Sequence, residues 1–232
     1  MNQFEEARKE TIRYHQELFA STPLGSSDSW LALPHPSVID AISLVNGPDP
    51  VQAFDLGAGV GRHTVPMAQL LPTGSTITAV DILPTAIDLL IDNCRVAKVS
   101  ASVIPLVADL EHFDFGDAQV SLIIGFSAVE HVSSRAVMRA LLERCRDATR
   151  PGGIVSFGIM ADRAEVASDG SVTAGLVESD LTVEQAHKYL STVFTDWVVI
   201  RSETLTTLTG EQRDGTEYEL RGSLVIFTAR KN

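Results

Sequence analysis

Short apolar runs alternate along the chain with longer stretches in which apolar residues recur at helical spacing. A short apolar run predicts a buried strand, and helical spacing of apolar residues predicts an amphipathic helix. The alternation of the two predicts an α/β protein. The predicted strands are 51–56, 76–81, 103–108, 120–127 and 154–160, followed by two β-rich runs, 196–208 and 220–230, joined by a hairpin signal at 210–215. The predicted helices are 3–20, one that begins near 36, 63–71, 84–98 and 182–193.

The first predicted strand runs into a glycine-rich turn and then into a helical pattern. Asp55 lies near the end of the apolar run, and Gly57, Gly59 and Gly61 then alternate with small residues. Glycines remove side chains where another molecule must approach the backbone. We expect a ligand here to meet unpaired N–H groups at the start of the next helix, as a nucleotide does at the carboxyl end of a first strand.

The spacing of the glycines separates two cofactor classes. The dinucleotide fingerprint is Gly-x-Gly-x-x-Gly, whereas this turn reads Gly-x-Gly-x-Gly and has Arg62 where the third dinucleotide glycine would stand. A carboxylate at Asp55 would repel a diphosphate but suits a ligand that carries an ammonium group. The stretch resembles motif I of the class I S-adenosylmethionine-dependent methyltransferases, a hydrophobic strand followed by (Asp/Glu)-x-Gly-x-Gly-x-Gly. The alternative is a glycine turn without a function.

Acidic residues follow the next two predicted strands. Asp81 lies twenty residues after Gly61, the distance at which a carboxylate reaches ribose hydroxyls in this architecture. Its alternative is a solvent-exposed strand end. By the family resemblance, Asp109 would accept a hydrogen bond from the adenine amino group and Leu110 would cover the ring. Pro105 predicts that the third strand lies at an edge of the sheet.

The segment after the fourth predicted strand also resembles the family. Residues 128–132, Ala-Val-Glu-His-Val, are similar to the Leu-Glu-His-Val sequence that follows this strand in many small-molecule methyltransferases. Phe126 and Ser127 would then face the methionine part of the cofactor, and Glu130 and His131 would lie near the methyl donor. The Asn-Pro-Pro-Tyr type of motif found in amino-group DNA methyltransferases is absent.

The resemblance implies a single methyltransferase domain over residues 1–232. Residues 1–50 would form a helical lid, and residues 51–232 a Rossmann-like core. This core would be a doubly wound sheet, mostly parallel, with an antiparallel C-terminal hairpin strand and helices on both faces. The residues implied to bind S-adenosyl-L-methionine are Asp55, Gly57, Ala58, Gly59, Gly61, Arg62, Asp81, Ile82, Asp109, Leu110, Phe126 and Ser127.

The acceptor pocket is expected where the family pattern is least informative. It would be built from the N-terminal helix, the loop after the fifth strand and the C-terminal hairpin, with residues 162–179 as a polar, mobile loop. A Trp-then-Pro approach to the first core helix resembles the tellurite-resistance-type members, so Tyr14, His15 and Trp30 would line the substrate mouth. The alternative is that Trp30 packs its loop onto the core.

The implied reaction is methyl transfer to a small molecule by in-line displacement, to which the protein contributes alignment and desolvation. His131 is the candidate general base, because the ordinary pKa of histidine lies near working pH. Glu130 and His63 are weaker candidates, and the structural alternative is that His131 packs or caps the following helix. No zinc or calcium spacing is present, so no metal is predicted and residues 111–117 are interpreted as a solvated acidic loop.

Composition narrows the expected partners. The formal net charge is −12 over 232 residues, and no Lys/Arg cluster is present, which argues against nucleic acid. A small or cationic acceptor fits better. Cys94 and Cys145 are unclustered, as expected for reduced thiols. Residues 1–9 lack the apolar core of a signal peptide, and the apolar run 120–129 is too short to span a bilayer, so we expect a cytoplasmic protein without a membrane partner, as a monomer or homodimer.

Two other functions stay open at this point. One is a nicotinamide-dependent oxidoreductase, which Arg62 and Asp55 disfavour. The other is a non-catalytic S-adenosylmethionine-binding module that lacks a substrate site. Cofactor preference would exclude the first, and turnover with an acceptor would exclude the second.

Overall fold

The structure, a computed structural model, describes residues 3–213 and 215–232. Met1, Asn2 and Asp214 lie outside the described residues. The expectation for residues 1–9 and the hairpin signal at 210–215 therefore fall partly outside them.

The chain forms a mixed sheet that brings the carboxyl ends of its parallel strands to one edge. The strands are β1 (Gln52–Leu56), β2 (Thr76–Asp81), β3 (Val103–Val107), β4 (Val120–Phe126), β5 (Thr149–Ala167), β6 (Val172–Ala174), β7 (Val198–Arg213) and β8 (Thr216–Arg230). Their order is β3-β2-β1-β4-β5-β8-β7, with β6 paired to β5. Strands β1 to β5 are parallel, and β8 is antiparallel to both β5 and β7. The Rossmann-like sheet with an antiparallel C-terminal hairpin is confirmed, and β3 is at the edge as Pro105 predicted.

Helices cover both faces of this sheet. They are α1 (Gln3–Ser21), α2 (Pro36–Val45), α3 (Thr64–Leu70), α4 (Pro84–Val96), α5 (Arg135–Ala148) and α6 (Val183–Val193). Ile123 of β4 packs in the cluster formed with α5 and α6, whereas Leu122 and Ile124 pack with α2 and α3. A strand buried on both faces needs an unbroken apolar sequence, which is what made β4 predictable as a central strand.

Two capped helices hold the segments that flank the site. The Thr182 hydroxyl accepts the Gln185 N–H, and the Gln185 side chain accepts the Thr182 N–H, so α6 begins with a capping box. Ser134 caps α5 by accepting the Val137 N–H. The segment 128–132 is therefore held between the end of β4 and a fixed helix start.

The prediction of a mobile polar loop over 162–179 is wrong for much of its length. β5 extends to Ala167, far beyond the predicted end at residue 160, and part of the following chain returns as β6. β8 provides the pairing partner, since its register with β5 continues to Ala167 opposite Tyr218. Polar residues on this extension gave no apolar alternation, so only the tertiary pairing reveals it as a strand.

The N-terminal helix α1 lies over the glycine turn that follows β1. Phe19 of α1 packs with Leu31, Val60, Leu83 and Ala86 in a buried cluster. α1 is also tied to the β7–β8 hairpin, because Arg213 donates to Glu10 at 2.8 Å. The N-terminal segment thus covers the carboxyl edge of the sheet.

Candidate cofactor and acceptor site

A cavity of about 370 Å³ lies at the carboxyl edge of the sheet, below α1 and the β7–β8 hairpin. In doubly wound sheets ligands bind at this edge, where the strand order reverses. The predicted site residues that line it are Tyr14, Trp30, Gly57, Ala58, Gly59, Arg62, Asp81, Ile82, Asp109, Leu110, Phe126, Ser127 and His131. Three predicted site residues, Asp55, Gly61 and Glu130, do not line it.

The glycine turn is closed by hydrogen bonds to the neighbouring strand. The N–H groups of Gly57 and Ala58 both donate to the Val80 carbonyl, at 2.8 and 2.9 Å. The Gly59 N–H donates to the Asp81 carboxylate at 2.8 Å. These three donors are satisfied within the protein, so unpaired N–H groups for a ligand are expected only nearer the start of the next helix. A diphosphate would find no cradle in these three donors.

Close packing explains why the turn needs glycine. Gly57 has φ +71°, and a Cβ there would lie 2.4 Å from the Ala128 Cβ. Gly59 has φ +52°, and a Cβ there would lie 3.2 Å from the Phe19 ring. The turn thus passes tightly between the segment after β4 and the covering helix, which brings its backbone to the cavity wall.

Asp81 is the carboxylate that faces the cavity from the end of β2. Its two oxygens accept the N–H groups of Gly59 and Leu83, at 2.8 and 2.9 Å. Burial raises its pKa, against those hydrogen bonds. Two backbone bonds fix its orientation and leave acceptor capacity on each oxygen for a diol.

Asp55 lies behind the turn. It is 1% exposed, and its Oδ2 accepts the Thr64 hydroxyl at 2.6 Å. Burial raises its pKa to about 7, and its Oδ1 has no hydrogen-bond partner among the residues that the structure describes. Asp55, the acidic position of the glycine motif, was expected to contact a ligand. It instead holds the first residue of α3, Thr64, by a hydrogen bond behind the turn.

Asp109 lies at the end of the segment after β3 and is paired with the N-terminal helix. Arg8 donates to its Oδ2 at 2.8 Å, and the Glu111 N–H donates to its Oδ1 at 3.0 Å. Arg8 also lies 3.3 Å from Glu111, which accepts both the N–H and the hydroxyl of Ser133. Glu111 is thus part of a structural network and not of a solvated loop, while Asp114 is exposed as expected.

His131 lines the cavity and is held from behind by a buried carboxylate. Its Nδ1–H donates to Glu178 Oε2 at 3.0 Å, and the Glu178 side chain is 1% exposed. Burial alone would lower the pKa of His131, but the contact with Glu178 outweighs it and the pKa is raised. Burial opposes ionisation of Glu178 in turn, yet the hydrogen bond from His131 lowers its pKa to about 2. With Nδ1 occupied, Nε2 is the ring nitrogen that remains for a reactant.

A second imidazole lies beside this pair. The His15 ring centroid is 6.3 Å from that of His131, and its Nδ1–H donates to the Thr11 carbonyl at 2.8 Å. Burial, followed by the charge of His131, lowers the pKa of His15 to about 4. His15 is therefore neutral at physiological pH and presents an accepting Nε2, whereas His131 is the imidazole whose pKa is raised by its carboxylate partner.

Glu130 and His63, the other two candidate bases, are both held by contacts within the protein. Glu130 is 3% exposed, and its Oε1 accepts the Met160 N–H at 2.9 Å, so it fastens the segment after β4 to β5. His63 is buried against Phe126, with ring centroids 5.3 Å apart, and burial lowers its pKa to about 3. Glu130 does not line the cavity, and the lowered pKa of His63, which does line it, makes this imidazole a poor proton acceptor at neutral pH.

Trp30 both lines the cavity and packs against the covering helix. Its ring lies 6.4 Å from that of Phe19, and the Arg62 guanidinium is 5.4 Å from its centroid. Arg62 also donates to the Leu33 carbonyl at 2.6 Å. Tyr14 lies on α1 in the same wall, and burial raises the pKa of its hydroxyl.

The far end of the cavity is lined by polar residues of β5, β7 and β8 that no sequence pattern singled out. Arg213 makes a bidentate contact with Glu165 at 2.9 and 3.0 Å and bonds Glu10 as well. Tyr218 donates to Glu211 at 2.8 Å. The sequence patterns also did not identify Glu178, because it belongs to no motif and lies 47 residues from His131 in the chain.

Within residues 3–213 and 215–232, no group of three or more His, Cys, Asp or Glu side chains is arranged to hold a metal ion. None of the helices in these ranges has the length and apolar character needed to cross a bilayer. Both cysteines are buried free thiols.

A doubly wound sheet with a glycine turn after β1 and carboxylates at the ends of β2 and β3 defines a nucleotide-cofactor protein. Residues 53–153 match the family model of a methyltransferase domain. This part of the chain is a methyltransferase domain, and its cofactor is S-adenosylmethionine. By sequence, no curated protein matches it.

Solved structures are similar in fold at low identity. TehB from Haemophilus influenzae superposes with a TM-score of 0.64 at 15% identity, over 89% of this chain and 65% of its own. This chain thus spans less than two thirds of TehB. The N-methyltransferase NodS from Bradyrhizobium japonicum, in complex with S-adenosyl-L-homocysteine, gives 0.58 at 15% identity over 97% and 98%. The cyclase SpnF gives 0.61 at 15% identity over 84% and 80%.

Proposed function

We propose that the protein transfers the methyl group of S-adenosylmethionine to a small molecule held beneath α1 and the β7–β8 hairpin. The observation that carries this proposal is one continuous cavity with two chemically different ends. One end has Asp81, Asp109 and the glycine turn, and the other has α1 and the three antiparallel strands. A cavity of about 370 Å³ covered on one side by a helix suits small ligands better than a protein side chain on a bulky partner.

The residues present fit the cofactor. Asp81 would accept the ribose hydroxyls, and Asp109 would accept the adenine amino group once Arg8 gives up its Oδ2. Ile82 and Leu110 would flank the adenine ring.

The backbone of Gly57, Ala58 and Gly59 would lie along the sugar, with Asp55 and Gly61 supporting the turn from outside the cavity. Phe126, Ser127 and Arg62 would face the methionine part, where the Arg62 cation suits a carboxylate.

Bound S-adenosylmethionine supplies an electrophilic methyl group on a sulfonium, so the protein needs to bind, align and exclude water. His131 lines this cavity together with Asp81 and Arg163; its charge favours ionisation of Asp81, and the charge of Arg163 lowers the pKa of His131. Its Nε2 would accept the proton of an O–H or N–H nucleophile, while Glu178 fixes the tautomer and stabilises the imidazolium that forms. Glu130 would act only through its bond to β5.

Calorimetric titration with S-adenosylhomocysteine and NAD tests the cofactor half of the proposal. We expect one site for S-adenosylhomocysteine and none for NAD, with affinity reduced at least about tenfold in Asp81→Asn. Asp117→Asn, which alters an exposed carboxylate outside the cavity, is the matched control. Unchanged affinity in Asp81→Asn would contradict the assignment.

Release of S-adenosylhomocysteine in the presence of candidate acceptors tests the transfer half. SpnF has this fold and is described as a cyclase, so the fold alone leaves a non-methylating module possible. Turnover that depends on His131 supports transfer. Tight cofactor binding with no turnover on any small acceptor would favour the non-catalytic module.

A further inference from the structure

A bulge in β5 turns one arginine toward the far half of the cavity. β5 pairs with β8 at Ala161 and again at Ala164, and two residues, Asp162 and Arg163, lie opposite the single residue Gly222. Asp162 adopts φ +49°, which few residues other than glycine, asparagine and aspartate tolerate. Bulges of this kind redirect a side chain and persist where the surrounding contacts fix them. Arg163 is the residue redirected, and it lines the cavity.

The neighbours of Arg163 leave room for its side chain. A Cβ at Gly222 would lie 3.5 Å from its Cγ, and one at Gly175 would lie 3.2 Å from its Cβ. Asp162 itself does not neutralise the guanidinium, because its carboxylate accepts the Val183 N–H and its own N–H donates to Leu181. The Gly175 contact is tight, so glycine there leaves space for the base of the Arg163 side chain, whereas the Gly222 distance to Arg163 is an ordinary van der Waals contact.

The guanidinium of Arg163 forms no hydrogen bond or salt bridge within the described part of the chain. Its Nε is buried without a hydrogen bond, and no ion pair to it is formed there. The other arginines of the cavity differ, since Arg8, Arg62 and Arg213 each donate to a carboxylate or a carbonyl. Buried donors are normally satisfied, so an unpaired planar donor in a cavity indicates that a ligand supplies the acceptor.

The carboxylates around Arg163 are bound to other groups. Glu165 is held by Arg213, Glu178 by His131, and Glu211 by the Tyr218 hydroxyl. The electrostatic influence of Arg163 extends to Tyr14, His15, His131 and Glu211, all in the half of the cavity away from the adenine position. Arg62, beside the glycine turn, is the cation near the methionine position.

We propose that Arg163 binds an oxyanion, a carboxylate or a phosphate, on the methyl acceptor. Arginine matches both groups with two parallel N–H donors, which also fixes the orientation of the acceptor. An acceptor held there has its nucleophilic atom on the side of His131. The description of the ligand as the methyl acceptor rests on the proposed function. The anion site itself does not depend on whether methyl transfer occurs.

Anion binding is measured on the full chain saturated with S-adenosylhomocysteine, by thermal shift and calorimetry. The probes are benzoate, inorganic phosphate, neutral benzamide and cationic benzylamine. We expect benzoate or phosphate to bind, and the stronger of the two identifies the anion class. Benzamide and benzylamine should bind at least about tenfold more weakly than that anion.

Three variants show whether Arg163 is the residue that binds the anion. Arg163→Met should weaken the anion about 10- to 100-fold, and Arg163→Lys should recover part of the loss, because it keeps charge without the planar fork. Arg221→Met, at an exposed arginine of β8 outside the cavity, should change nothing. Affinity for S-adenosylhomocysteine should stay within about twofold in all three, which also reports that they fold.

The proposal is overturned if neither anion binds, if benzamide or benzylamine binds as well as the anions, or if Arg163→Met binds the anion normally. Loss of S-adenosylhomocysteine affinity in both Arg163 variants would overturn it too, since the arginine would then serve the cofactor. Failure of the proposed function looks different, because wild-type protein would not bind S-adenosylhomocysteine or would bind the anion without any turnover.

Discussion

Replacement of Glu178 by Gln tests the pair that holds His131 in the cavity wall. The change removes a buried negative charge and leaves the shape nearly intact. The pKa of Glu178 falls from 4.5 to about 2 on folding, against the cost of burial and because His131 donates to it. At 1.36 kcal/mol per pKa unit, the pair stabilises the folded state by up to about 3 kcal/mol.

The sign of each shift defines a pH window. The Glu178 pKa is lowered, so its contribution is present above about pH 4.5 and is lost as the pH falls toward 2. The His131 pKa is raised above 6.5, so its contribution is complete below 6.5 and is lost as the pH rises through the folded value. Both are present only between about pH 5 and 6, where Glu178→Gln should be most destabilising.

Urea unfolding of wild type, Glu178→Gln, His131→Gln and the double variant measures this at pH 5.5 and 8.5. We expect Glu178→Gln to lose about 3 kcal/mol of unfolding free energy at pH 5.5 and clearly less at pH 8.5. The loss in the double variant should be smaller than the sum of the two single losses, and this difference is the coupling energy of the pair. Glu219→Gln, which breaks an exposed pair with Arg221, should cost less than about 0.5 kcal/mol at both values. A loss that is the same at both pH values would refute the reasoning.

Three further outcomes follow from the same geometry. Gly57→Ala should destabilise by at least about 2 kcal/mol in urea unfolding, because its φ is +71° and its Cβ would meet Ala128 at 2.4 Å; a smaller loss would mean that the turn can move. Methyl transfer should rise with pH through the raised pKa of His131, and a pH–rate profile that stays unchanged in His131→Gln would remove its role as base. Arg8→Met should tighten S-adenosylhomocysteine severalfold by calorimetry, since adenine would no longer compete for Asp109; weaker binding would show that Arg8 helps to hold the cofactor.

Sequence patterns predicted those parts of the molecule that local physics determines. An apolar strand that runs into glycines at fixed spacing needs no tertiary information, and neither does the carboxylate twenty residues later. The positions of β1 to β4, with Asp81 at the end of β2, were therefore predicted correctly. The position of β3 at the edge followed from a single proline, because proline removes a donor that an inner strand requires.

Features that depend on long-range pairing could not be predicted in the same way. The N–H groups of Gly57 and Ala58 donate to the Val80 carbonyl, and only the register of β1 against β2 puts that carbonyl within reach. The extension of β5 beyond residue 160 exists because β8 returns beside it, and the bulge at Arg163 exists only within that pairing. Asp55 shows a related limit, since the motif gives its type while its hydrogen bond to Thr64 decides which way it faces.

The covering helix α1 connects the parts of the cavity through contacts that are individually weak. Arg8 binds Asp109 at the adenine end, Phe19 rests on the glycine turn, and Glu10 binds Arg213 at the hairpin. Ion pairs with partly exposed side chains, as here, contribute at most about 1 kcal/mol each. Breaking these ion pairs therefore costs little relative to global unfolding, while the buried Phe19 holds the helix on the glycine turn. Under the proposed function, Asp109 would exchange Arg8 for the adenine amino group, so cofactor binding would loosen the helix at one end and let an acceptor enter beside the hairpin while Phe19 keeps the turn covered.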